Sequence, residues 1–109
     1  MKILASKSIL FGFSVMVGLS FAAQAQSGPE ATYKTKCAMC HGADGSGNTP
    51  AGKSMGAKDF RAPEVVNEAD SQLQGVIEKG RNKMPAYQGK LSADDVGGLV
   101  KYIRQLQGK

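Results

Sequence analysis

Both cysteines and the single histidine of this 109-residue chain fall within five positions, Cys37-Ala38-Met39-Cys40-His41. The chain's whole supply of thiol and imidazole is concentrated at one point, and any fold must present that point to the same partner. The pattern C-x-x-C-H is that of a covalent c-type haem attachment site. Each thiol adds to one haem vinyl group, so two thioether bonds clamp the porphyrin. The histidine that follows is then placed to coordinate the iron from the same side. Other uses of the cysteines fit less well. A thioredoxin-type CxxC belongs in a βαβ pattern, and no β-branched strand run precedes Cys37. A structural zinc site needs four ligands, and the motif supplies three. A plain disulfide leaves the histidine without a role.

The N-terminus points to export. Lys2 and Lys7 form a basic start, Ile9 to Phe21 is mainly apolar, and Ala23-Gln24-Ala25 is a small-x-small cleavage site. These are the three parts of a secretory signal peptide. The apolar stretch falls short of the roughly 20 residues that a spanning helix needs. Residues 1–25 are therefore expected to be a signal peptide and residues 26–109 a single domain, placed in the periplasm as a monomer with no stable membrane insertion after cleavage. The full chain has 14 basic and 9 acidic residues, and without Lys2 and Lys7 a net of about +3 remains. That bias is too weak for a nucleic-acid binder, and two haem propionates would offset most of it. Its distribution matters more. Lys34 and Lys36 precede the first cysteine, while Lys79, Arg81 and Lys83 surround a later methionine. Rimming an exposed haem edge, they would steer the acidic docking face of a redox protein. A domain this small is marginal alone. A buried apolar cofactor supplies the missing core in proportion to its apolar area.

The elements read as short helices separated by loops. Pro29 suits a first helical position, and a helix from Pro29 to Cys40 would carry Tyr33 one turn before Cys37 on the same face. Five glycines between Gly42 and Gly56 read as a loop, without the spacing of a phosphate-binding loop. A turn of helix is expected around Glu64 to Glu68. Asp70 or Ser71 is expected to cap a further helix that sets Leu73, Val76 and Ile77 on one face and ends at Gly80. Ser92-Ala93-Asp94-Asp95 is a capping-box variant. It opens a helix with a stripe of Val96, Leu99, Val100, Ile103 and Leu106. Gly97 and Gly98 inside that helix each cost roughly 1 kcal/mol relative to alanine, which a close helix crossing would explain. The expected fold is all-α, with three to four short helices around one covalently bound haem.

A single histidine excludes bis-histidine ligation within one molecule, which leaves methionine as the common sixth ligand. Met1 and Met16 leave with the signal peptide, and Met39 lies between the cysteines. Of Met55 and Met84, Met84 is favoured. It follows a helix at a distance that lets the chain cross the haem, and Pro85 restricts it to extended backbone. Met55 lies just after His41, where the near side of the haem should be. The ring N–H of a ligating histidine needs an acceptor, for which the Pro50 carbonyl is a candidate. Arg61, Tyr87 or Lys53 would bond a propionate. A haem enzyme or gas sensor with a labile sixth ligand, and a thiol–disulfide oxidoreductase with free cysteines, are the competing functions.

Cys37-Ala38-Met39-Cys40-His41, Lys83-Met84-Pro85 and Leu99-Val100-Lys101-Tyr102-Ile103 together resemble a small bacterial class I cytochrome c. The resemblance covers nearly all of the chain after the leader. It implies that the N- and C-terminal helices cross with Tyr33 and Tyr102 near the contact. It implies His41 and Met84 as axial ligands of haem c, with a proline carbonyl, matching Pro50, behind the histidine. It also implies a periplasmic carrier of single electrons rather than an enzyme. Two positions depart from the family's pattern: Pro29 stands where many relatives have glycine, and the chain has no tryptophan.

Overall fold

The computed structural model describes residues 12, 14–18 and 28–109. The expected signal peptide lies outside them, apart from the exposed positions at 12 and 14–18. Six helical segments run in order: α1 Pro29–Lys36, α2 Ala38–His41, α3 Pro50–Met55, α4 Pro63–Val66, α5 Asp70–Lys79 and α6 Ala93–Leu106. Among the described residues there is no strand, only isolated bridges between Arg81 and Met84 and between Gln88 and Leu91. The all-α expectation holds, and among the described residues six helical segments stand where three to four short helices were expected. The extra segments are short. α2 and α4 are single turns of four residues, and α3 has six.

Three of the differences have local causes. The expected helix from Pro29 to Cys40 breaks at Cys37, whose φ of −116° departs from helical values. α3 lies inside the stretch expected to be a loop. Thr49 caps it, its Oγ1 accepting from the Gly52 N–H at 2.8 Å, Pro50 takes the first position, and Gly56 ends it in the left-handed region. α5 is capped at Ala69 rather than at Asp70 or Ser71. Alanine offers no side-chain acceptor, and the side-chain bond that closes this turn runs the other way, from the Ala69 N–H to Gln72 Oε1 at 2.7 Å. The capping box of α6 forms as read. The Asp95 N–H donates to Ser92 Oγ and the Ser92 N–H to Asp95 Oδ2, both at 3.1 Å.

α6 is the spine of the core. Its Val96, Leu99, Val100 and Ile103 are buried, together with Leu73 and Ile77 of α5, Tyr33 of α1 and Phe60. Leu106 is half-buried against the same cluster. α1 crosses α6, and the Tyr33 and Tyr102 rings lie 5.0 Å apart at the crossing, as the family resemblance implied. The two glycines of α6 have different reasons. A Cβ on Gly98 would lie 2.6 Å from Pro29 Cγ, whereas one on Gly97 would meet nothing nearer than Gln74 Nε2 at 3.9 Å. α1 carries proline at this contact, and the close approach is made by glycine on the opposite helix. Gly98→Ala should therefore destabilise the protein by about 1–3 kcal/mol through overpacking against a ring that cannot rotate away. Gly97→Ala should stabilise it by up to about 1 kcal/mol through helix propensity. Denaturant unfolding of the two variants side by side checks this, and equal effects would refute the crossing as the reason for Gly98.

A candidate haem-attachment cleft

The attachment motif folds as one turn. The His41 N–H donates to the Cys37 carbonyl at 2.9 Å and the Cys40 N–H donates to it at 3.2 Å. Residues three and four apart on a helical turn share a face, so Cys37, Cys40 and His41 point the same way. Met39, between them, points out and is 77% exposed. Tyr33 anchors the turn from behind. Its ring is buried, and its hydroxyl donates to the Gly42 carbonyl at 2.6 Å. Burial, with the nearby Cys37, Tyr102 and Asp44 adding to it, keeps that phenol protonated well beyond its ordinary range.

His41 is set up as a ligand. Its Nδ1 lies 3.2 Å from the Lys58 carbonyl. A carbonyl only accepts, so Nδ1 carries the proton and Nε2 keeps its lone pair. Burial lowers the imidazole pKa, with the Lys58 bond opposing it, and the ring stays in the neutral form that a metal requires. Phe60 stacks on the ring at 4.5 Å and 26°, which fixes its plane. The carbonyl behind the histidine is thus that of Lys58, not Pro50. Pro50 is the first residue of α3, and its carbonyl runs along that helix and is directed into its own turn.

Cys37, Cys40 and His41 open onto one cleft with about 1090 Å³ of empty space, its mouth included. Val65, Leu73, Ile77, Leu99 and Ile103 give it apolar walls. Both candidate methionines line it. Met84 is half-buried and packed against the core cluster, whereas Met55 is 40% exposed at the end of α3. The loop that carries Met84 is held at several points. Arg81 and Met84 exchange both backbone bonds, at 3.0 and 3.3 Å, and the Tyr87 N–H donates to the Ile77 carbonyl at 3.0 Å. The Tyr87 hydroxyl reaches across to the Lys36 carbonyl at 3.1 Å, tying this loop to the end of α1 beside Cys37.

Of the other expected site residues, Tyr87 lines the cleft, but Arg61 and Lys53 do not. Arg61 is drawn outward by Asp59, which accepts from its Nε at 3.3 Å and from its backbone N–H at 2.9 Å. Of the basic residues expected at the rim, Lys36 and Arg81 are on the cleft lining and Lys58 joins them; Lys34, Lys79 and Lys83 are not, and Lys34 is paired with Glu30 at 2.9 Å. Thr49 was not foreseen. Its hydroxyl lies 2.8 Å from both the Met39 and Cys40 carbonyls and fastens α3 to the attachment turn. The signal for it was present in Thr49-Pro50, a cap followed by a first-turn proline. The Lys58 carbonyl had no comparable signal, because a backbone acceptor is independent of residue type.

The residues fit haem c. Two unpaired thiols, an imidazole with Nε2 available and a thioether converge on an apolar cleft. Burial pushes the Cys37 thiol up to about 11, the Lys36 ammonium opposing it and Cys40 adding to it. A thiol kept protonated at neutral pH is a poor attacking group for disulfide exchange, which requires the thiolate. The fold and this donor set define a small monohaem class I cytochrome c, an electron-transfer protein with covalently bound haem. The chain belongs to the family described as cytochrome c oxidase, cbb3-type, subunit III, which matches residues 24–103. It is 26% identical over 102 residues to the cytochrome c6 of Gracilaria tenuistipitata var. liui, covering 87% of this chain and 91% of the relative. It is 29% identical over 96 residues to the cytochrome c6 of Pyropia yezoensis, covering 86% and 84%. Among solved structures it is similar to the KustC0563 c-type cytochrome, with a TM-score of 0.68 and 28% identity over 74% of this chain and 99% of that one.

Proposed function

We propose that the protein is an exported carrier of single electrons in which His41 and Met84 close both faces of the haem iron. The observation that carries this reading is Met84, half-buried on a braced loop and lining the same cleft as His41. When bound, the haem supplies the one-electron couple. The chain's own residues do the rest. Cys37 and Cys40 hold the group through thioethers, His41 presents Nε2, and the Lys58 carbonyl and Phe60 keep its ring in place. The apolar walls exclude water, and a neutral thioether on one side with imidazole on the other favours the reduced form. With both axial positions taken by the chain, no site remains for substrate or gas, and the protein is not an enzyme. In this reading residues 1–25 direct its export, and it works in the periplasm as a monomer. Lys36, Lys58 and Arg81 at the cleft give it a positive face for the acidic docking surface of a redox partner, in a small transient interface.

The test is made on the purified mature protein. Mass spectrometry should show one added haem and no free thiol, and the ferric spectrum should carry the signature of methionine ligation. Carbon monoxide should bind the ferrous protein slowly or not at all. Rapid binding would replace the carrier reading with a gas-binding one.

A further inference from the structure

Glu68, between α4 and α5, contributes to the cleft wall. Its main chain is pinned on both sides. Its N–H donates to the Val65 carbonyl at 3.1 Å, and its carbonyl accepts from Arg104 Nη2 at 2.5 Å. Arg104 is held in turn by Asp70 Oδ1 at 3.0 Å and by the Val66 carbonyl at 3.3 Å. The side chain is 19% exposed, and its Oε1 accepts from Arg81 Nη1 at 2.9 Å. Oε2 is buried and has no hydrogen-bond partner among the described residues. A buried carboxylate oxygen without a donor is costly. Arg81, at the other end of the pair, exchanges both backbone bonds with Met84.

We propose that the Glu68–Arg81 pair is a balanced charge element of the cleft wall, and that the reduction potential depends on both of its charges being kept. This rests on the reading of His41 and Met84 as axial ligands. The oxidised haem carries one more positive charge than the reduced haem. An anion in an apolar wall stabilises the oxidised form and a cation stabilises the reduced form, both more strongly than they would in water. Paired, Glu68 and Arg81 nearly cancel. Removing either charge leaves the other bare, so the two removals act in opposite directions. In the titration the electron comes from the added reductant, and no bond in the protein forms or breaks.

The experiment is a redox titration at neutral pH of the holoprotein and its Glu68→Gln, Arg81→Gln and Glu64→Gln variants. Glu64 is an exposed control on α4. Glu68→Gln should raise the potential and Arg81→Gln should lower it, each by more than Glu64→Gln moves it. Glu68→Asp and Arg81→Lys, which keep the charges, should lie nearer the wild type. A merely structural role would loosen the Met84 loop in both neutral variants and shift both potentials the same way. That result, or a Glu68→Gln shift no larger than that of Glu64→Gln, overturns the proposal. Opposite shifts in a protein whose wild-type spectrum lacks methionine ligation would overturn the axial-ligand reading alone.

Discussion

Met84→Ala is expected to turn a closed carrier into a protein with a vacant coordination position. The methionine signature in the ferric spectrum should vanish, the ferrous protein should bind carbon monoxide rapidly, and the potential should fall. Axial ligands span roughly 0.8 V of haem potential, and loss of a thioether opposite histidine moves the protein down that range, by a shift on the order of tenths of a volt. The loop itself should survive. Its bracing comes from the bonds of Arg81, Tyr87 and Gln88 to the neighbouring backbone rather than from the methionine side chain, with the Gln88 N–H donating to the Glu78 carbonyl at 3.0 Å. Gly80 helps to set its entry. It has a φ of +73°, and a Cβ there would lie 2.5 Å from the Met84 carbonyl oxygen, so the chain leaving α5 runs close under the methionine. Met55→Ala is the matched control, because Met55 lines the same cleft but is 40% exposed. Its spectrum should match that of the wild type. If Met55→Ala loses the methionine signature and Met84→Ala keeps it, the two roles are reversed.

The parts of the fold that were legible in the sequence are those where side chains state the geometry directly. Ser92 with Asp95 announces a helix start, and the apolar spacing from Val96 to Ile103 announces a buried face; both are found as read. Cys37, Cys40 and His41 announce their shared face by spacing alone. The parts that were not legible depend on backbone groups or on contacts distant along the chain. α3 was hidden because its glycines look like loop composition, while its real determinants are one residue before it and one after it, Thr49 and Gly56. The partner of the histidine ring is a carbonyl 17 residues away, and any residue at position 58 could provide it. Arg61 was a reasonable candidate for a propionate until Asp59, two residues earlier, absorbed it. Arg81, which does reach the cleft, is matched to Glu68 across 13 residues of α5 and its flanking loops. No local pattern encodes that pairing.

Gly52→Ala is expected to be the most damaging of the glycine substitutions. On helix propensity alone it should help, because alanine at a helical position is favoured over glycine by about 1 kcal/mol, and Gly52 has no positive φ that would exclude a side chain. The surroundings reverse the sign. A Cβ at Gly52 would run into the Cys40 carbonyl oxygen, and it would lie 2.5 Å from the Gly47 carbonyl oxygen and 2.9 Å from Thr49 Oγ1. Two of these are main-chain atoms that cannot rotate aside. The Cys40 carbonyl belongs to the attachment turn, and Thr49 Oγ1 lies 2.8 Å from it. Relief therefore requires α3 to move off α2, breaking the bond that fastens the two together. Overpacking of this kind costs typically 1–3 kcal/mol and occasionally more, and here the upper end, about 3 kcal/mol, applies because the obstruction is backbone. Gly75→Ala on α5 isolates the propensity effect, since a Cβ there meets nothing within 4 Å. Denaturant unfolding of the two holoproteins should show Gly75→Ala stabilised and Gly52→Ala strongly destabilised. The yield of haem-loaded protein should fall for Gly52→Ala alone, because its displaced turn is the one that must offer both thiols and the imidazole to the same porphyrin. Equal stability and equal loading in the two variants would mean that α3 can shift without disturbing Cys40, and that the Thr49 link is dispensable for attachment.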